Sequence, residues 1–237
     1  MSFRVERAGG AALAALRGGP ARVFASFERS CYVETPAGIA CLGGPGLGLG
    51  PLNAIVEDFE SFAVDISVSI DIEKAGLWKP CAFFSTENVP EIQIPESIRG
   101  PAQLFLDWIA GSGKPDNSLI GLGPGLTPAG DDFVGGAMIA LRACGTTAGD
   151  AALADRIAAW ALPLARTNTN RISRAHLEWA AQGEGHEALH DLLCSFDKKH
   201  LDRLARVGHT SGLDAAAGAL LAICRRRRSA RTAPVTS

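Results

Sequence analysis

The most informative part of this chain is the stretch SLIGLGPGLTPAGDDF, residues 118–133. An apolar run enters a loop rich in glycine and proline, and the loop leaves through two adjacent aspartates into a segment that predicts a buried helix. Glycine permits a backbone with positive φ and lets another group approach the main chain closely. A helix start presents unpaired N–H groups and a partial positive charge. The stretch therefore predicts a loop that holds an anion or a metal-bound anion.

The chain changes character near residue 100. Before that point, alternating apolar residues and turn signals predict β-structure, preceded by a short helix over 11–17. The predicted strands cover residues 22–34, 39–42 after a hairpin turn at Pro36-Ala37-Gly38, 62–72 and 82–84. After residue 100 the period becomes helical, with predicted helices over 101–110, 131–142, 150–164, 172–182, 186–196, 200–206 and 213–226.

These patterns predict an α+β protein with a β-rich N-terminal half and an α-helical C-terminal half. We expect a β-rich domain over residues 1–100, which contains a second glycine-rich loop. A helical domain follows over residues 101–228 and carries the 118–133 stretch, and a disordered tail covers residues 229–237.

Composition narrows the class of protein. Of 237 residues, 47% are apolar and the net charge is −2, which favours a globular fold and argues against nucleic acid as the main partner. The six cysteines form no CxxC pair, so we expect free thiols and a cytoplasmic protein. No apolar run has the length needed to span a membrane, and we expect no membrane partner.

The 121–132 loop is the first candidate site. Backbone N–H groups of Gly123, Gly125 and Gly130 are predicted to face a phosphate or carboxylate. Bare aspartates would repel such an anion, so Asp131 or Asp132 is predicted to hold a divalent cation such as Mg²⁺ between them.

The same loop also has a purely structural interpretation. Thr127 would cap the helix, Pro128 would open it, and the two carboxylates would favour its positive end. Under the functional interpretation Thr127 belongs to the anion site instead. One aspartate would satisfy the helix end, so two in succession favour a functional role.

A short pattern, G-x-D-x-x-x-G, occurs twice, at residues 130–136 and 212–218. Each copy begins an apolar helix, and its aspartate and second glycine lie one turn apart on the same face. Two such helix starts could bring Asp132 and Asp214 to opposite sides of a shared cleft. Chance is the alternative, because a chain rich in alanine and glycine makes such matches easily.

Two loops away from this stretch carry further candidates. Asn53 ends the glycine-rich run of residues 43–53, which is either a ligand-binding loop or a wide turn at a sheet edge. Arg171, Ser173 and Arg174 lie in a segment suited to a carboxylate or phosphate, because guanidinium binds such groups bidentately. The alternative is that Thr169 or Asn170 caps a helix and the arginines are solvated.

The last candidate segment is residues 207–214. His209 could act as a general acid or base near neutral pH, and Ser211 could contact a ligand at a second helix start. Ser211 and Asp214 also have the spacing of a capping box, which alone would explain both residues. Asp132, His209 and Asp214 are the predicted catalytic residues. His209 would move protons, and Asp132 and Asp214 would anchor a metal or orient substrate amides.

Four segments together resemble the AllH-like family, which includes a subunit of oxamate carbamoyltransferase. They are residues 50–53, 121–133, 172–173 and 208–214, and the long 121–133 block is the most specific of them. The resemblance implies a transferase subunit of bacterial allantoin breakdown, and hence of purine catabolism. It would convert oxalurate and phosphate to oxamate and carbamoyl phosphate.

The resemblance also implies partners, namely other subunits or further copies of this chain, with a small anionic substrate and phosphate as ligands. Two alternatives stay open. One is a Mg-dependent hydrolase or phosphotransferase that uses the same aspartates on a small anionic metabolite. The other is a non-catalytic subunit that binds a metabolite or serves assembly.

Overall fold

The structure is a computed structural model that describes residues 2–60, 63–81, 89–145 and 147–232. The chain forms two compact units, Met1–Pro80 and Cys81–Ser237. All the strands among the described residues lie in the first unit, and the described part of the second unit is helical, which confirms the α+β prediction. The predicted strand over 82–84 and the end of the predicted tail, 233–237, lie outside the described residues.

The first unit is a closed, mostly antiparallel sheet with one helix, α1 (Gly10–Leu16). Its strands are β1 (Ser2–Ala8), β2 (Ala21–Ser26), β3 (Ser30–Thr35), β4 (Gly38–Gly43), β5 (Asn53–Val56), β6 (Ser67–Asp71) and β7 (Gly76–Leu77). The strand order is β5-β4-β3-β2-β6-β1-β7, and β1 pairs with β5 as well as β6, so the sheet closes on itself.

The predicted hairpin is confirmed, because Thr35 of β3 lies opposite Gly38 of β4 across a two-residue turn. The predicted 22–34 strand is in fact two paired strands, β2 and β3. The predicted 62–72 strand is shorter than expected: β6 begins at Ser67, and Val64 before it is 49% exposed. The prediction missed β1, which precedes the helix, and β5, whose four residues are too few to show a pattern.

In the described part of the second unit, seven α-helices pack around one hydrophobic core that includes Phe105 and Phe133. The helices are α2 (Arg99–Ile109), α3 (Ala129–Ala143), α4 (Ala148–Asn168), α5 (Arg171–Ala180), α6 (Glu187–Ser195), α7 (Lys198–Leu204) and α8 (Ser211–Thr232). Each matches a predicted helix, and α8 continues four residues into the segment predicted as a tail. No helix among the described residues is long and apolar enough to cross a membrane.

Helices α3 and α8 approach each other through the second glycines of the repeated pattern. A Cβ atom on Gly136 would lie 1.9 Å from the carbonyl oxygen of Ala215, and one on Gly218 would lie 1.8 Å from that of Phe133. The two contacts are reciprocal, because each glycine meets the carbonyl that follows the other helix's aspartate. Only glycine permits backbones to come this close. The close contact places the two helix starts side by side.

Candidate binding site at the starts of helices α3 and α8

The loop before α3 owes its path to glycine. Gly121, Gly123 and Gly125 have φ values of +84°, +120° and +91°, which side chains disfavour. The N–H of Gly130 donates to the carbonyl of Leu122 at 2.9 Å, so it is already used within the loop. In the described part of the chain, the N–H groups of Gly123 and Gly125 donate to no protein acceptor. These two can therefore serve an anion, as predicted, whereas the Gly130 N–H cannot without breaking a loop bond.

Asp131 is a buried structural hub on the side of α3 that faces α5. It is 2% exposed, and both of its carboxylate oxygens are used. Oδ1 accepts the Gly121 N–H at 2.7 Å, and Oδ2 accepts the hydroxyls of Thr169 at 2.5 Å and Ser173 at 2.6 Å. Asp131 therefore joins the glycine loop, the end of α4 and the start of α5.

Asp132, the next residue, has the opposite environment, facing Asp214 of α8. Asp132 is half-buried and Asp214 is 4% exposed, and the Oδ2 atom of each is buried without a hydrogen-bond partner. Burial raises the pKa of Asp132 well above its usual value, and the negative charges of Asp214 and Asp131 raise it further. Hydrogen bonds from the Ser211 and Thr127 hydroxyls act in the other direction.

The two helix starts are tied together by the hydroxyls of Thr127 and Ser211, whose oxygen atoms are 2.7 Å apart. Neither hydroxyl therefore caps its own helix. Pro128 is the N-cap of α3 and no side chain caps that helix, so the structural interpretation of Thr127 is wrong.

The capping box predicted at the start of α8 is also replaced by another arrangement. The Asp214 N–H donates to the backbone carbonyl of Thr210 at 2.9 Å, and helix α8 begins at Ser211. Burial raises the pKa of Asp214, and a hydrogen bond with the Thr210 side chain partly opposes that rise. The Ser211 hydroxyl is consequently left to face Thr127 and Asp132.

The arginine segment is organised by a helix cap. Asn170 accepts the N–H groups of Ile172 and Ser173 at 2.9 and 3.1 Å, which confirms the capping alternative. Its side-chain N–H donates to the carbonyl of Leu126 at 2.8 Å and holds the glycine loop against α5. Ser173 is thereby directed to Asp131, while Arg174 lies 3.7 Å from Glu178 of its own helix.

Three predicted residues lie at other positions. Arg171 is exposed at the start of α5, and His209 is exposed in the turn that precedes α8, two residues before Ser211. Asn53 belongs to the first unit, where it is 7% exposed and its amide donates to the Gly48 carbonyl at 3.0 Å. Asn53 thus closes the first unit's glycine loop from within.

The predicted divalent cation has a restricted set of ligands here. Among the residues that the structure describes, no group of three or more His, Cys, Asp or Glu side chains is arranged to hold a metal ion. Asp131 has both oxygens bonded to protein donors, whereas Asp132 keeps a spare acceptor atom. Asp214 keeps one as well. A cation at this site would therefore bind through Asp132 or Asp214, with other ligands from substrate or water.

The sequence did not reveal the partners of the two aspartates. Thr169 forms a hydrogen bond with Asp131, and Thr210 forms one with Asp214. Both threonines lie at helix boundaries, where threonine is common. The sequence offers one indication for Thr210, because Thr210 and Ser211 directly precede the G-x-D pattern that contains Asp214. No local signal marks Thr169, whose partner lies 38 residues away.

Fold and site define the class: an α+β protein whose helical unit presents a small polar site at two paired helix starts. The family model described as "Oxamate carbamoyltransferase subunit AllH" matches residues 119–223. The matched segment contains the glycine loop, α3 and about half of α8, so the predicted resemblance to this family is confirmed over that segment. No curated protein and no solved structure matches the chain.

Proposed function

We propose that this chain is a subunit of an oxamate carbamoyltransferase-like enzyme that transfers a carbamoyl group between an oxalurate-like carboxylate and phosphate. The observation that carries the proposal is the contact between Thr127 and Ser211, at 2.7 Å. It joins two helix starts into one polar site, and both lie within the segment that the family model matches.

The reaction would be a displacement at the carbamoyl carbon. A phosphate oxygen attacks that carbon, the bond to the oxamate nitrogen breaks, and the nitrogen takes the proton that phosphate gives up. Products are carbamoyl phosphate and oxamate. Such a transfer depends on placing two anions together and on stabilising charge on oxygen.

Several candidate residues have a role in this scheme. The N–H groups of Gly123 and Gly125 would bind an anionic oxygen, and Arg171 or Arg174 would hold the substrate carboxylate. His209, which is exposed beside the start of α8, would carry the proton between phosphate and nitrogen. A divalent cation such as Mg²⁺, if bound at Asp132, would neutralise charge between phosphate and the carboxylates.

Anionic substrate, phosphate and partner subunits or further copies of the chain are the proposed partners. In the part of the chain that the structure describes, Cys31, Cys41, Cys81, Cys144, Cys194 and Cys224 form no disulfide bond. Free thiols are typical of a reducing compartment, so we propose that the enzyme acts in the cytoplasm.

The test is phosphate-dependent cleavage of oxalurate by the complex isolated through a tag on this chain. Carbamoyl phosphate should form, and it should be lost when Thr127→Val and Ser211→Ala are combined in this chain. Turnover of a phosphate ester with Mg²⁺ by the chain alone would favour the hydrolase instead. Stabilisation by oxalurate with no turnover under any condition would favour a binding or assembly subunit.

A further inference from the structure

Two buried carboxylate oxygens in the α3–α8 site have no hydrogen-bond partner: Oδ2 of Asp132 and Oδ2 of Asp214. Buried polar atoms in folded proteins are almost always paired, because leaving one unpaired costs free energy. Among the described residues, no lysine or arginine forms an ion pair with either carboxylate. The unpaired oxygens therefore indicate a missing donor.

The helices cannot easily move apart to relieve this arrangement. Gly136 and Gly218 place the backbones of α3 and α8 in reciprocal contact, directly below the two aspartates. The hydroxyls of Thr127 and Ser211 bridge the same helices above. Both carboxylates are thus held in place by the packing of their helices.

The chemistry of the missing donor follows from the acceptor atoms. A carboxylate oxygen that carries no proton only accepts hydrogen bonds, and where the pair is ionised it repels a second anion at the same position. We infer that Asp132 and Asp214 form an acceptor pair for the NH₂ group of a carbamoyl or ureido ligand. Its carboxylate or phosphate oxygens would bind elsewhere, at the Gly123 and Gly125 N–H groups.

This inference assigns the substrate's nitrogen end to a place in the proposed site, and it rests on the proposed function for the rest of the ligand. It makes a prediction about specificity. A site that is built to hydrogen-bond an NH₂ group rejects an analogue that lacks it, because the site's buried polar atoms are then left unpaired. Replacing that NH₂ by a methyl group of similar size should weaken binding strongly.

The experiment measures binding to the full chain by calorimetry with two matched pairs of probes. One pair is oxalurate and its acetyl analogue, and the other is N-carbamoylglycine and N-acetylglycine. In each pair the only change is NH₂ to CH₃. We expect the NH₂ member of at least one pair to bind at least about tenfold more tightly to the native chain.

The variants Asp132→Asn and Asp214→Asn replace one acceptor oxygen by a donor at nearly constant shape. Each should reduce that discrimination toward onefold, while Asp202→Asn, at an exposed residue of α7, should leave it unchanged. Thermal melts establish that each variant is folded, and either variant suffices if the other does not fold.

Equal binding of NH₂ and CH₃ probes by the native chain, or no binding of any probe, would overturn the inference. Discrimination that persists in the folded aspartate variants, or binding that EDTA abolishes, would also overturn it, the latter in favour of a cation. Failure of the proposed function looks different. NH₂ discrimination that depends on Asp214, without any carbamoyl transfer, would leave the inference standing and remove the transferase.

Discussion

Asp131 and Asp132 are neighbours in sequence, but they lie on two sides of the α3 start. The two sides differ in the hydrogen bonds and in the neighbouring charges that each carboxylate meets. On the α5 side, Asp131 is saturated by three hydrogen bonds from Gly121, Thr169 and Ser173. On the α8 side, Asp132 faces another carboxylate and keeps an oxygen unpaired. The hydrogen bonds on the α5 side stabilise the fold. The buried oxygen without a partner on the α8 side leaves a hydrogen-bond acceptor for a ligand.

The largest expected effect is on the saturated side. Asp131→Ala would leave one backbone N–H and two hydroxyl donors buried without an acceptor, so we expect a loss of about 4 kcal/mol in the free energy of unfolding. Urea denaturation measures it. Asp202→Ala, at an exposed residue of α7, should cost less than about 0.5 kcal/mol. A loss of that small size for Asp131→Ala would mean that its three bonds are not structural.

The glycine contacts below the aspartates come next. Gly136→Ala and Gly218→Ala each place a Cβ within 2 Å of a carbonyl oxygen of the opposite helix. We expect each to cost about 2 kcal/mol by forcing α3 and α8 apart. Gly100→Ala is the control, because a Cβ there meets nothing within 4 Å and should stabilise α2 slightly. Equal effects of all three changes would contradict close packing of the two helices.

The unsaturated side should respond in the opposite direction. Because the folded pKa of Asp132 is raised, the folded state holds a proton more strongly than the unfolded chain. The contribution of Asp132 to the free energy of unfolding is therefore fully present below the ordinary pKa of an aspartate. It is lost as the pH rises through the pKa of Asp132 in the folded state. We expect Asp132→Asn to remove that pH dependence and to raise the free energy of unfolding at neutral pH, because the variant carries no charge to bury. Urea midpoints from pH 4 to 8 measure it, and a destabilised Asp132→Asn would contradict the comparison.

The smallest effect on stability is expected at His209. Its side chain is exposed, so His209→Asn should change the free energy of unfolding by less than about 0.5 kcal/mol. Turnover of the complex should nevertheless fall about 10²-fold if His209 carries the proton. Unchanged turnover would assign the proton transfer to phosphate itself or to another group.

Much of the fold could be predicted from the sequence because its signals are local. The seven helices of the second unit follow from apolar periodicity and helix boundaries, and the β3–β4 hairpin follows from its turn residues. Strands β1 and β5 were missed because they are defined by pairing with distant residues rather than by alternation within four to seven residues.

The site was predictable in outline and not in its partners. The repeated pattern predicts similar starts for α3 and α8, and the structure places them side by side. The sequence distinguishes Asp132 from Asp131 only through the repeated pattern, however, and it does not show the partners of either residue. In the structure, Asp131 accepts a hydrogen bond from Ser173, which is 42 residues away. Asp132 faces the α8 start, where Ser211 is 84 residues from its partner Thr127. Such distances are outside the reach of any local pattern.

A crystal structure of the chain with oxalurate and phosphate tests the central claim most directly. We expect ligand density beside the Thr127–Ser211 contact. An N–H donor of oxalurate should lie within 3.2 Å of a carboxylate oxygen of Asp132 or Asp214. Density elsewhere, with those two oxygens bonded only to protein groups or to a buried water, would contradict the claim that the paired helix starts bind the substrate.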